Sequence, residues 1–148
     1  MLKQSLLLVL LLTPAVPATQ AQSTGGDQLT VKVTGLRSSN GKVRIELFNS
    51  AKGFPKEDAN ALQSVWIDAS QAQQGTIQTT FKDLPSGDYA VLTFHDENGN
   101  GILDRGAFGR PKEGFAVSNN ATGHPPSFDA SKFSLTASEQ SVSLTLHY

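Results

Sequence analysis

The chain has 148 residues, with 12 basic and 13 acidic side chains and no cysteine. A net charge of −1 without a basic stripe gives nucleic-acid binding no electrostatic support. The lack of cysteine excludes disulfides, a thiol nucleophile and a lipid-modified N-terminal cysteine.

The chain opens MLKQSLLLVLLLTPAVPATQAQ. Lys3 precedes an apolar run from Leu6 to Leu12, Pro14 and Pro17 break it, and small residues follow. This is the order of a secretory signal peptide, and the run is far short of the ~20 residues that span a bilayer. A leader over 1–21 is expected, with cleavage after Ala18 or Ala21. A flexible lead-in follows over 22–27, then one domain over 28–148. Without Lys3 the balance is 11 basic against 13 acidic residues, or −2. The exported chain, expected in the periplasm or outside the cell, has no further apolar stretch to serve as a transmembrane segment. At roughly 126 residues it suits one domain resting on its core, its hydrogen bonds or a bound ion.

Period-two alternation dominates the exported part. Leu29, Val31 and Val33 alternate with Thr30, Lys32 and Thr34, and Val43, Ile45 and Leu47 with Lys42, Arg44 and Glu46. SSNG at 38–41 predicts a hairpin between these two strands. Pro55–Leu62 predicts a short helix opened by its proline. Further strands are expected near Gln63–Asp68 and Thr76–Phe81. Asp88–Phe94 is apolar on both faces and reads as a central strand. A last pair is expected near Lys132–Leu135 and Ser141–Tyr148. Short strands, frequent turns and almost no helix predict an all-β fold. The expectation is an antiparallel Greek-key β-sandwich of immunoglobulin-like kind with about seven strands and one long loop. That loop, from His95 to about Ala130, shows no regular pattern but holds Phe108, Phe115 and Phe128. A structureless segment this long is improbable unless it is functional or tied down.

The loop begins HDENGNGILDRG. With Asp96 as position one, Asn98 is three, Asn100 five, Gly101 six, Ile102 seven and Asp104 nine. This is the order of calcium loops in which alternate side chains and one backbone carbonyl supply hard oxygen donors. Position twelve is Ala107 rather than a bidentate glutamate, and no amphipathic helices flank the loop. Glu97, Asp88 and Glu113 are further candidate ligands. Few formal charges predict a weak Ca²⁺ site, on the order of 10⁻⁴ to 10⁻³ M. The competing reading is a metal-free turn, since Asn98-Gly99 and Asn100-Gly101 are favoured turn dipeptides.

HDENGNGILD, FGRPKEGFAVSNNATG and PPSFDASKF, with LTVKVTGLRSSNGKVRIELFNSAKGFP and LPSGDYAV before them, resemble a family of small exported bacterial proteins catalogued as a domain of unknown function. The resemblance covers nearly the whole exported chain and implies a fold and a Gram-negative periplasmic or secreted location. It implies no activity. Phe81, Leu84, Pro85, Gly87, Tyr89 and Val91 are also similar to the turn and strand of carboxypeptidase-regulatory and transthyretin-like sandwiches, a fold analogy only. Hydroxyisourate hydrolases share that fold, but their C-terminal Tyr-Arg-Gly-Ser is missing here.

No catalytic constellation is apparent. No G-x-S-x-G elbow, zinc spacing or phosphate cradle occurs. His95 is expected to be a hydrogen-bonded structural residue, His124 to face solvent in a rigid turn, and His147 to lie on the polar face of the last strand. A non-enzymatic module is expected. A hydrolase is the last alternative; the first competing role is a metal-free one, binding a ligand, glycan or envelope protein through Phe108, Arg110, Lys112 and Phe115, with Phe128 and Trp66. Against that, these aromatics suit a satellite core beneath the loop.

Overall fold

The computed structural model describes residues 26–121, 123 and 125–148. The expected leader and His124 lie outside these residues. Strand β1 (Asp27–Thr34) begins inside the stretch read as a lead-in. It is followed by β2 (Lys42–Phe48), β3 (Gln63–Asp68), β4 (Ile77–Leu84), β5 (Gly87–Asp96), β6 (Gly114–Val117), a single helical turn α1 (Phe128–Ser131), β7 (Phe133–Leu135) and β8 (Glu139–Thr145).

The strands form two sheets, ordered β4-β1-β8 and β3-β2-β5-β6, with β7 on the start of β5. The alternation predicts the inner faces. Leu29, Val31 and Val33 of β1 meet Val43, Ile45 and Leu47 of β2, all fully buried, together with Val91, Leu135 and Leu144. Each such side chain contributes about 1.5–3 kcal/mol on leaving water. This is an all-β sandwich.

β5 runs between β2 and β6, as its two-sided apolar pattern predicts. Its second face carries Ala90, Leu92 and Phe94, which join Phe48, Val117 and Phe128 in a separate outer cluster. The 49–62 connection and the long segment after β5 cover this face. Phe54 stacks edge-on against both Phe48 (5.2 Å) and Phe128 (6.0 Å). Buried Ser118 pins the segment from beneath: its hydroxyl accepts from the Val91 N–H (2.9 Å) and donates to the Ser131 carbonyl (2.6 Å).

Several expectations are corrected. The ladder is not wholly antiparallel, because β1 and β8 pair in parallel. Alternation gives each strand its faces but not the direction of its neighbour. β1 and β2 form no hairpin: β1 pairs with β4 and β8, β2 with β3 and β5. The chain bends at 39–41, with Gly41 at φ 67°, but the link from Gly35 to Gly41 is long enough to cross from one sheet to the other. Likewise β7 pairs with β5 and β8 with β1, so these two are not partners. Pro55–Leu62 holds only the 3-10 turn Asp58–Asn60, since so short a segment cannot nucleate a helix without tertiary support. The 95–130 stretch contains β6 and α1, four residues each, too short to register as a pattern.

Candidate functional site

The segment after β5 is organised by two buried carboxylates. Asp96, 2% exposed, is the last residue of β5 and opposes Lys42 across the ladder. Its Oδ1 accepts the N–H groups of Gly99 (2.8 Å) and Asn100 (3.1 Å), and its Oδ2 that of Gly101 (2.8 Å). The chain can wrap this tightly because Gly99 and Gly101 adopt positive φ of 73° and 83°. Glu113, 5% exposed, does the same from the far side, accepting the N–H of Glu97 (2.9 Å) and of Asp104 (3.1 Å). Asn98 and Asn100 close Asx turns onto the N–H two residues on, each at 3.0 Å. Their amide nitrogens donate to the two oxygens of Asp104, at 2.7 and 3.0 Å.

The structure therefore gathers Asp96, Asn98, Asn100 and Asp104 into one clasp. Ile102 gives its N–H to Asn100 and leaves its side chain 61% exposed. Of the extra candidate ligands only Glu113 is part of the clasp. Glu97 turns to Arg37 and Ser38, and the Arg37 hydrogen bonds hold its carboxyl below the ordinary range against the opposing effect of burial. Asp88 lies eight residues back along β5, roughly 26 Å away, bound to Ser134 and Lys132. Among the described residues no three His, Asp or Glu side chains are grouped closely enough to hold a metal by themselves.

The base of the clasp is equally fixed. His95 is fully buried, with Nε2 2.8 Å from the Asn40 carbonyl and Nδ1 2.8 Å from the Tyr148 hydroxyl. The expected structural histidine is present. Gly41, at φ 67°, lies so close to the Asp96 carbonyl that a Cβ would collide with it. His147 is exposed, and its backbone exchanges hydrogen bonds with Phe115, tying the two sheets together at this end.

The expected aromatic surface divides into two. Phe115 is half-buried and packs with Trp66, Phe94 and Phe128 in the outer cluster, as a satellite core requires. Beside it lies a groove of about 350 Å³ over the outer face of the sheet, lined by Arg44, Glu46, Trp66, Phe94, Leu103 and Arg105 among others. Arg44 lies over the Trp66 ring and donates to Glu46 (2.9 Å). Burial raises the Glu46 carboxyl above its ordinary value, and Arg44 only partly opposes this. An acid raised on folding withdraws stability as pH climbs from the ordinary carboxyl value through the raised one. Glu46→Gln, which keeps a side-chain oxygen for Arg44 to donate to, is expected to cost less than the roughly 3–5 kcal/mol of a fully broken buried pair. It should also flatten the loss of stability as pH climbs above the ordinary carboxyl value, read from urea midpoints; an unchanged slope would contradict this.

Phe108, Arg110 and Lys112 belong elsewhere. They stand on an exposed tip at the end of the clasp, whose base, Arg105, also borders the groove, with Phe108 at φ 61° and its side chain fully in solvent. The groove and the tip were not separable by sequence, because Phe108 and Phe115 are alike in type and close in the chain. No helix among the described residues is long and apolar enough to cross a membrane.

No curated protein and no solved structure matches the chain. Residues 31–143, which span both sheets, the clasp and the tip, match the model of a family described as uncharacterized proteins conserved in bacteria, DUF2141, and the chain belongs to that family.

Proposed function

We propose that the protein is an exported, non-catalytic binding module in which the Asp96–Asp104 clasp takes a calcium ion weakly and fixes the segment that presents the 105–112 tip. The observation that carries this reading is the convergence of four of the five predicted ligands, Asp96, Asn98, Asn100 and Asp104, within hydrogen-bond reach of one another. Asp96, Asp104 and the nearby Glu113 have no basic partner among the described residues, whereas Glu97 and Glu46 do. Backbone N–H groups offset part of the cost of taking the Asp96 and Glu113 carboxylates out of water, and a divalent cation would offset more. On binding, the Asn98 and Asn100 amides would release Asp104 and turn their oxygens to the ion. Two charged side chains among the five predicted ligands keep the affinity low.

One observation favours a second reading. Each oxygen of Asp96 and Asp104 already accepts a hydrogen bond from the loop itself, so the clasp closes without an ion and the module works metal-free. Thermal unfolding of residues 22–148 in EDTA, and again with calcium or magnesium, separates the two. A ligand that binds only the folded state adds ~2.7 kcal/mol at a hundredfold excess over its dissociation constant. Calcium at about 10 mM, in excess of a site of this class, is expected to raise the midpoint of wild type but not of Asp104→Asn. No calcium-specific rise would end the metal reading and leave the self-clasped one.

A further inference from the structure

We infer that the 105–112 tip docks on anionic phospholipid surfaces, with Phe108 entering the interface and Arg105, Arg110 and Lys112 lying at the level of the headgroups. The inference rests on the reading of this segment as a presenting element, and not on the bound ion.

Its first support is rigidity. Gly106 donates to the Arg110 carbonyl (2.7 Å) and Lys112 to that of Asp104 (2.8 Å), so the tip is a closed hairpin-like turn. Arg105 bridges to Pro111 in backbone pairing, and its Nη1 reaches the Gly109 carbonyl (2.9 Å). The Lys112 stem lies against Gly106, where a Cβ would stand 3.3 Å from Cε. The apex is Phe108, in a left-handed conformation uncommon for a bulky residue. It is the most exposed of the large apolar side chains described, at 102%. A loop that only needed to close would gain from a polar residue or glycine there.

Its second support is charge. Residues 105–112 hold three cations and no acid, in a chain whose exported part is net negative. Arg105, Arg110 and Lys112 are all exposed, and none forms an ion pair among the described residues. The acids that begin and end the segment are engaged on the clasp side: Asp104 accepts from Asn98 and Asn100, and Glu113 is buried under two backbone N–H groups. Positive potential is therefore concentrated around one aromatic point. A protein interface of ordinary size buries ≈800 Å² per partner around an apolar centre, and a convex turn with one aromatic does not offer that. A fluid anionic interface asks only for an apolar side chain that enters the headgroup and acyl boundary and for cations beside it.

The test is partition of residues 22–148, which hold both sheets, onto phosphatidylglycerol–phosphatidylcholine vesicles and onto pure phosphatidylcholine, in EDTA at low and high salt. Partition is expected on the anionic vesicles only and should weaken with salt. Each cation lost should cost about fivefold, so Arg105→Gln, Arg110→Gln and Lys112→Gln together should cost roughly a hundredfold. Phe108→Ala should cost roughly tenfold. Phe108→Trp adds a direct readout, since its emission should shift to the blue on anionic vesicles, with the wild-type protein, whose one tryptophan is Trp66, as the reference. Backbone amide spectra confirm that each variant is folded, so loss of the sandwich is distinguishable from loss of the tip. No partition at low salt, equal partition on neutral vesicles, or partition unchanged in the triple and Phe108 variants would each overturn the inference. Phe108-dependent cross-linking to a protein without vesicle partition would overturn it too.

Discussion

Asp96→Ala is expected to lower folding stability by about 2–4 kcal/mol in EDTA, where no ion can contribute. One buried carboxylate accepts the N–H groups of Gly99, Asn100 and Gly101. Hydrogen bonds to a charged acceptor are each worth roughly 1.5–3 kcal/mol. The three residues are exposed, so water recovers part of that loss once the carboxylate is gone. Asp96→Asn, which keeps one accepting oxygen but puts an amide NH₂ against backbone donors, should fall between alanine and wild type. Urea unfolding gives the energies. Hydrogen exchange gives the location: the Gly99, Asn100 and Gly101 amides should lose protection before the β2–β5 ladder does. Losses below about 1 kcal/mol, or exchange that rises evenly over the whole sheet, would mean that Asp96 is not what closes the loop. Asp104→Asn should be far milder in EDTA, because Asp104 accepts from two exposed side-chain amides that can turn to water.

The clasp was largely legible because its chemistry is local. Aspartate and asparagine on alternate positions, with glycine between, specify both a calcium loop and a self-closed turn, and four of the five residues named are ones the fold links by hydrogen bonds. Glu113 is the member that sequence could not assign a place. Its contribution depends on β6 returning antiparallel to β5, so that Gly114 pairs with His95, and a four-residue strand leaves almost no period to read. Arg37 escaped notice for a similar reason. It reaches Glu97 and covers the Tyr148 ring at 4.1 Å only because the β1–β2 link crosses between sheets, where the Asn40-Gly41 signal indicates a hairpin. The inner core followed directly from alternation, whereas the parallel β1–β8 pair did not, because side-chain period is the same in either direction. Trp66, Phe115 and Phe128 have the composition of either a ligand surface or a satellite core. Only the covering connections at 49–62 and 97–131 decide that they pack beneath the loops.

His95→Ala is expected to cost about 3–5 kcal/mol, by a combination of cavity and lost partners. The Asn40 carbonyl can only accept, so Nε2 carries the proton and donates to it, and in the neutral imidazole Nδ1 accepts from the Tyr148 hydroxyl. That hydroxyl in turn accepts from the Arg37 N–H at 3.3 Å. One fully buried ring thus joins the link after β1, the start of β2 and the far end of the chain to the strand end from which the clasp departs. Removing it leaves the carbonyl and the hydroxyl short of a partner; Asn40 and Tyr148 are both exposed, so water recovers part of the roughly 1–3 kcal/mol that each unmade bond would cost if buried. Tyr148→Phe removes only one link and should cost about 1–2 kcal/mol. The double variant should lose less than the sum of the two, because the second change removes a group already stripped of its partner. Urea midpoints of the four proteins close this cycle. Strict additivity would show that His95 and Tyr148 act separately, and a loss under about 1 kcal/mol for His95→Ala would show that the ring is not holding the strand end at all. If the coupling holds, Gly99–Gly101 should exchange faster in His95→Ala although none of their own hydrogen bonds has been touched. Asp96 can collect those N–H groups only while the end of β5 is held against Asn40 and Gly41.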